Sequence, residues 1–205
     1  MRKLILTSLF TIASVNASAG FDWSLNSSLG LMTVNLAENE SALEQTDTSV
    51  QAGDEEEVAN ASLGVISFDL VLEVPQDEKY SYLFKAIVPL VTADGTGVFL
   101  GGVGFNYYFN GMSGRYSMNI NGNEISIAPK FRYYAGGLLG VGNVVYNTES
   151  AKKSDVFFDL GVHGGMAYSL SKKWGLRGEV GAARGTGVAT SNINIKTFFG
   201  MSYNL

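Results

Sequence analysis

Beyond residue 20 the chain alternates large apolar residues with polar or small ones in eight separate stretches. Alternation at every second position gives an extended strand one apolar and one polar face, a division that the helical period does not produce. The stretches cover residues 21–34, 61–74, 79–91, 98–109, 124–146, 156–170, 174–184 and 192–205. In the third, Tyr80, Tyr82, Phe84, Ala86, Val88 and Leu90 share a face opposite Ser81 and Lys85. In the sixth, Phe158, Leu160, Val162, Met166 and Tyr168 oppose Asp159, Gly161, His163 and Gly165. The second changes phase near Val65 and Ile66, which predicts a bulge. No apolar run in this region reaches the ~20 residues of a transmembrane helix. The pattern predicts an all-β fold, a closed antiparallel up-and-down β-barrel of eight strands forming one domain over residues 20–205. Its 25 glycines and three prolines suit a closed sheet.

A barrel with one apolar face turns that face inward in water and outward in lipid. The aromatic residues decide between the two. With strand directions alternating from a periplasmic N-terminus, Trp23, Tyr80, Tyr82, Tyr107, Tyr168, Trp174 and Tyr203 all fall near the same ends of their strands. Amphipathic rings collect at a membrane interface, and a soluble barrel has no reason to gather them. Transmembrane strands need ~9–11 residues, which every stretch provides. Closure in lipid also leaves no backbone edge unpaired. The connections at 75–78 and 171–173 are short, whereas 36–60 is long, so an integral outer-membrane barrel with both termini periplasmic is expected. The connection 110–123 carries a hairpin signal at Asn121-Gly122, leaving open whether it adds a small hairpin.

The two ends of the chain point the same way. Arg2 and Lys3 precede an apolar run from Leu4 to Val15, and Ala17-Ser18-Ala19 forms a small-x-small cleavage site. Residues 1–19 are therefore expected to be a removable export signal. Without Arg2 and Lys3, 12 basic residues stand against 19 acidic ones, a net charge of −7. Such a balance disfavours nucleic acid as a partner, since phosphate binding needs a basic face. There is no cysteine, as suits an oxidising periplasm. At the other end Phe199, Met201, Tyr203 and Leu205 alternate apolar positions to the last residue. This resembles the C-terminal assembly signal of bacterial outer-membrane proteins, which implies the barrel-assembly machinery as a partner. Those proteins most often end in Phe or Trp, and Leu205 departs from that.

Inward positions collect charge: Asp69, Glu73, Lys85, Lys130, Arg132, Asp159, Arg177, Glu179 and Lys196. An eight-strand interior is just wide enough for side chains to fill it, and unpaired charges there would be costly. Arg177 and Glu179 are expected to join Asp159, His163 and Lys130 or Arg132 in a lumenal polar network that plugs the barrel. The alternative is a charged constriction in a narrow channel. His163, the single histidine, has no second histidine or cysteine to share a metal with, so no metal or other cofactor is expected. Eight of the 19 acids lie in the segment 36–60 with no basic residue, which reads as a solvated loop. Weak divalent-cation binding there, as a bridge to lipopolysaccharide phosphates, is the sharper possibility. The spacing does not match an ordered calcium loop. The glycine runs at 101–104 and 136–140 lie within strands with no helix after them, so they are not phosphate cradles.

Over residues 20–205 the chain resembles the small outer-membrane barrels of the OmpA transmembrane domain, OmpX and OmpW in size and plan. The resemblance implies an outer-membrane location among lipid and lipopolysaccharide, and a structural or surface-interaction role exercised through the outer loops. A porin-like or OmpW-like channel for small or hydrophobic solutes is the alternative it allows. The lipid A deacylase type is similar in size but carries a His-x-Ser pattern. Here the residues are His163-Gly164-Gly165, so that activity does not carry over and no enzyme is expected.

Overall fold

The computed structural model describes residues 23–38, 61–91, 97–111, 116–120, 123–127, 130–147, 152–171, 173–188 and 190–205. The proposed export signal and most of the acidic segment, residues 39–60, lie outside these. Among the described residues there are ten strands: β1 (Ser24–Glu38), β2 (Ala61–Pro75), β3 (Tyr80–Val91), β4 (Gly97–Tyr108), β5 (Tyr116–Ile120), β6 (Asn123–Ile127), β7 (Phe131–Asn147), β8 (Lys152–Ser169), β9 (Trp174–Gly187) and β10 (Thr190–Asn204). Eight of them close into a barrel in the order β1-β10-β9-β8-β7-β4-β3-β2, and β5 and β6 pair only with each other. Every pairing is antiparallel, including the seam that joins first strand to last, from Ser24 opposite Asn204 to Glu38 opposite Thr190.

The alternation holds all the way round. On β8, Val156, Phe158, Leu160 and Val162 are more than half exposed, while Asp155, Phe157 and Asp159 between them are buried. The apolar face points out of the barrel, the arrangement that suits lipid. Val162 stands six residues along β8 from Tyr168, or ~15 Å above it for a tilted strand. Val162→Arg is expected to destabilise the barrel by ~2–4 kcal/mol, against ~0–1 kcal/mol for Tyr168→Arg nearer the interface. Urea titration in phospholipid vesicles reads the difference. Equal costs would mean the outward face does not meet hydrocarbon.

Three sequence expectations are corrected. The fifth stretch, 124–146, is two strands: β6 ends at Ile127 and β7 begins at Phe131. The break falls where the sequence has Pro129, which has no N–H to give to a ladder. Thus 110–123 supplies the first arm of the hairpin and Ile125 and Ile127 lie on its second arm, where Ile120 faces Asn123 across a two-residue loop. Because β4 and β7 are direct neighbours, this hairpin interrupts the connection without adding a stave. Second, the bulge expected near Val65 and Ile66 is present, as a register shift between Ile66 and Ser67 opposite Val91 and Pro89, but it does not lie on β2. The extra residue is therefore Leu90 on β3, beside a proline that cannot donate.

The third correction concerns the lumen, which is not polar throughout. Met32, Val34, Val98, Leu100, Leu138, Val144, Phe157 and Phe198 form one buried cluster with neighbouring aliphatic residues. Most of these occupy the strand portions remote from the termini. The inward phase thus changes character along the barrel: ionic in the half nearest the termini, with an apolar cluster beyond it beside the buried polar residues Asp155, Asp159, Asn192, Asn194 and Lys196 of β8 and β10.

Candidate functional site: a lumenal ionic network

Glu73, on the inward face of β2, accepts four donors. Its Oε1 takes hydrogen bonds from the Ser81 hydroxyl, from Asn106 Nδ2 at 2.9 Å and from Tyr108 Oη at 2.8 Å. Its Oε2 takes Arg177 Nη1 at 2.8 Å. Arg177 Nη2 donates to Glu179 Oε2 at 3.0 Å, and the same oxygen accepts Tyr134 Oη at 3.1 Å. The other Glu179 oxygen is bound by Lys85 Nζ, which also lies 3.1 Å from Asp69 Oδ2. The Arg177 guanidinium sits 4.3 Å from the centre of the Tyr134 ring, a cation–π contact. Glu73, Arg177, Glu179, Lys85 and Asp69 are all buried.

Strand order explains how these groups meet. In the closed sequence of staves, β3 and β9 are four places apart in either direction. Lys85 and Glu179 therefore reach each other across the full lumen. Arg177 and Glu73 bridge strands three places apart. Gly165 makes room for the network, because a Cβ there would collide with the Tyr134 phenol and the Gly178 carbonyl.

His163 is tied in through Asn106, whose Oδ1 lies 2.6 Å from His163 Nε2. Since Asn106 gives its Nδ2 protons to Glu73, its oxygen faces the imidazole, and the proton belongs on Nε2. Asp159 belongs to a separate node. It holds Lys196 Nζ at 2.9 Å and Asn194 Nδ2 at 2.8 Å, beside the apolar layer. Nearer the open end, Asp155 Oδ2 accepts the Thr190 N–H at 2.9 Å and its hydroxyl at 2.7 Å.

Of the sequence-predicted lumenal residues, the structure brings Arg177, Glu179 and His163 into one network. Asp159 is placed apart from it. Arg132 lies half-buried on the inward face of β7, near the mouth closest to the termini. Lys130 is exposed and precedes β7, because the strand begins one residue later. Glu73, Lys85 and Asp69 complete the network, and strand phase already placed them inward. Tyr108 and Tyr134 do so as well, at inward positions beside the outward Tyr107 and Tyr133. An inward tyrosine among outward aromatics is the signal that marks Tyr108.

The aromatic residues form the expected band at one end. Trp174 packs on Tyr203 at 4.7 Å between ring centres and Tyr80 on Tyr107 at 5.0 Å. At the same end the Trp23 carbonyl accepts the Leu205 N–H at 2.8 Å. Tyr82 is exposed one step along β3. Tyr168 packs on Phe131 at 4.6 Å, so Phe131 belongs to the band too. Phe199, Met201 and Leu205 are exposed on the outer face of β10 or just past it.

No protein-family profile and no curated protein sequence matches the chain. Solved structures do match its fold, which is that of the small eight-stranded outer-membrane β-barrels. Neisserial surface protein A (NspA) aligns with a TM-score of 0.54 at 10% identity, over 87% of this chain and 97% of that one. The outer membrane protein OprG from Pseudomonas aeruginosa aligns with a TM-score of 0.52 at 12% identity, over 90% and 95%. At these identities the similarity is one of fold.

Proposed function

We propose that this chain is an integral outer-membrane barrel with a sealed lumen, acting at the cell surface through the connections remote from its termini. The observation that carries this reading is the Lys85–Glu179 pair across the lumen, with the apolar layer around Phe157 and Leu100 beyond it. An ion entering from the end nearest the termini would meet a charge-compensated bridge, with the apolar cluster narrowing the path beyond it. NspA is by its name a surface protein, which agrees with such a role. Both termini are assigned to the periplasm, since two of the three connections on their side are tight turns, the third carrying the β5–β6 hairpin: Gln76 and Asp77 N–H groups bond the Tyr80 carbonyl, and Leu170 and Ser171 bond Trp174. Phe199, Met201, Tyr203 and Leu205 would present the closing strand to the assembly machinery, and the acidic segment 36–60 would face lipopolysaccharide and its divalent cations.

Purified barrel added to a planar bilayer is expected to insert without conductance. Discrete single-channel steps from the wild-type protein would overturn the sealed-lumen reading in favour of a narrow channel.

A further inference from the structure

The outer wall has a groove that the lumenal role does not use. It crosses β7 to β10 on the half nearest the termini and measures about 650 Å³. Tyr133, Met166, Tyr168, Leu176, Val180 and Phe199 line it, and Gly164 and Gly178 floor it. Unlike inward Gly165, these two glycines are not demanded by packing. A Cβ at Gly178 would find only Phe199 Cδ2 at 3.8 Å, and one at Gly164 only the Tyr134 carbonyl at 3.4 Å. The wall thus leaves two outward positions empty between side chains that stand out into the hydrocarbon. The volume lies within the ~300–1,000 Å³ of sites that enclose small apolar ligands.

The rim of this sector is basic. Lys130 directly precedes Phe131 of the groove wall, and Lys173 lies in the turn between Tyr168 and Leu176. Both are exposed, and Lys173 Nζ stands 5.9 Å from the Tyr203 ring centre in the aromatic band. They therefore sit at headgroup level, above a slot that runs into the hydrocarbon. The turn between β2 and β3 instead carries Asp77 and Glu78 with Lys79.

We propose that this sector binds an anionic glycerophospholipid of the leaflet nearest the termini, with one acyl chain in the glycine-floored groove and the phosphate beside Lys130 and Lys173. That this leaflet is the periplasmic one rests on the orientation given above, whereas the site itself does not. The test is native mass spectrometry of the detergent-purified barrel titrated with phosphatidylglycerol and phosphatidylcholine of identical chains. Wild type is expected to retain one phosphatidylglycerol with about tenfold preference. K130Q/K173Q should retain the two lipids alike, and Gly178→Leu should lose both. Gly164→Ala is a milder filling of the same slot, and heat-modifiable gel mobility checks that each variant folds. Equal retention of the two lipids by wild type, or unchanged retention in folded Gly178→Leu, would overturn the proposal. So would a crosslinked dimer that Gly178→Leu abolishes while lipid retention persists, which would assign the groove to a second copy. None of these readings depends on whether the lumen conducts.

Discussion

Arg177→Met is expected to cost the barrel ~3–5 kcal/mol, the usual penalty for removing one partner of a buried ion pair. Glu73 would keep its bonds from Ser81, Asn106 and Tyr108 but lose its charged partner, Arg177 Nη1 at 2.8 Å. Glu179 would retain Lys85 but lose the guanidinium at 3.0 Å. The double variant E73Q/R177M should recover more than half of the loss, because an uncharged amide can still accept from the three remaining donors. Equilibrium unfolding by urea in vesicles measures both. A single variant within ~0.5 kcal/mol of wild type would show that water in the lumen already compensates these charges.

Gly200→Val should prevent closure of the barrel. Gly200 faces Ser28 across the β1–β10 seam, and a Cβ there would collide with the Ser27 carbonyl and the Ser28 Cα. These are backbone atoms of the partner strand, so relief requires opening the ladder that joins the first strand to the last. Gly30 has the same constraint from the other side, where a Cβ would collide with the Thr197 carbonyl and Phe198. The cost is expected at or above the ~3 kcal/mol upper end of ordinary overpacking, seen as loss of the compact, heat-modifiable gel form. Gly101→Ala is the control: nothing lies within 4 Å of a Cβ at that outward position. It should stay within ~0.5 kcal/mol of wild type. If Gly200→Val folded as readily as Gly101→Ala, the seam would not be as tight as the structure has it.

Much of the fold was legible because lipid imposes a period. Wherever a strand crosses hydrocarbon, its outer face must be apolar, and residues such as Phe158, Leu160 and Val162 record that face. Where strands continue past it, both faces are polar and the period disappears. This is why β8 begins at Lys152, four residues before the sequence pattern, and why β9 runs on to Gly187. The hairpin β5–β6 was signalled at Asn121-Gly122, but its extent was hidden for a similar reason. Its second arm, with Ile125 and Ile127, is in phase with Phe131 and Tyr133 and merges with β7 until Pro129 is given its due.

The lumenal site was legible by face and not by partner. Strand phase turns Asp69, Glu73, Lys85, Arg177 and Glu179 inward, but one strand does not say which residue of another lies at its level. Stagger around the barrel sets those levels. It brings Glu179 to Lys85 on the opposite stave and leaves Asp159 with Lys196. Lys130 shows how sensitive the inference is to a boundary: one residue before the start of β7, it projects into solvent and never enters the lumen.

The amino-acid sequence by itself determined the alternation, the number of staves that cross the membrane and the aromatic band at one end. Each follows from the local requirement that a strand's side chains match the medium beside it. Only the tertiary structure decided which inward charges pair, that an apolar layer caps them, and that two outward glycines form a groove. Those depend on closure and stagger, which bring residues as distant in sequence as Lys85 and Glu179 into contact.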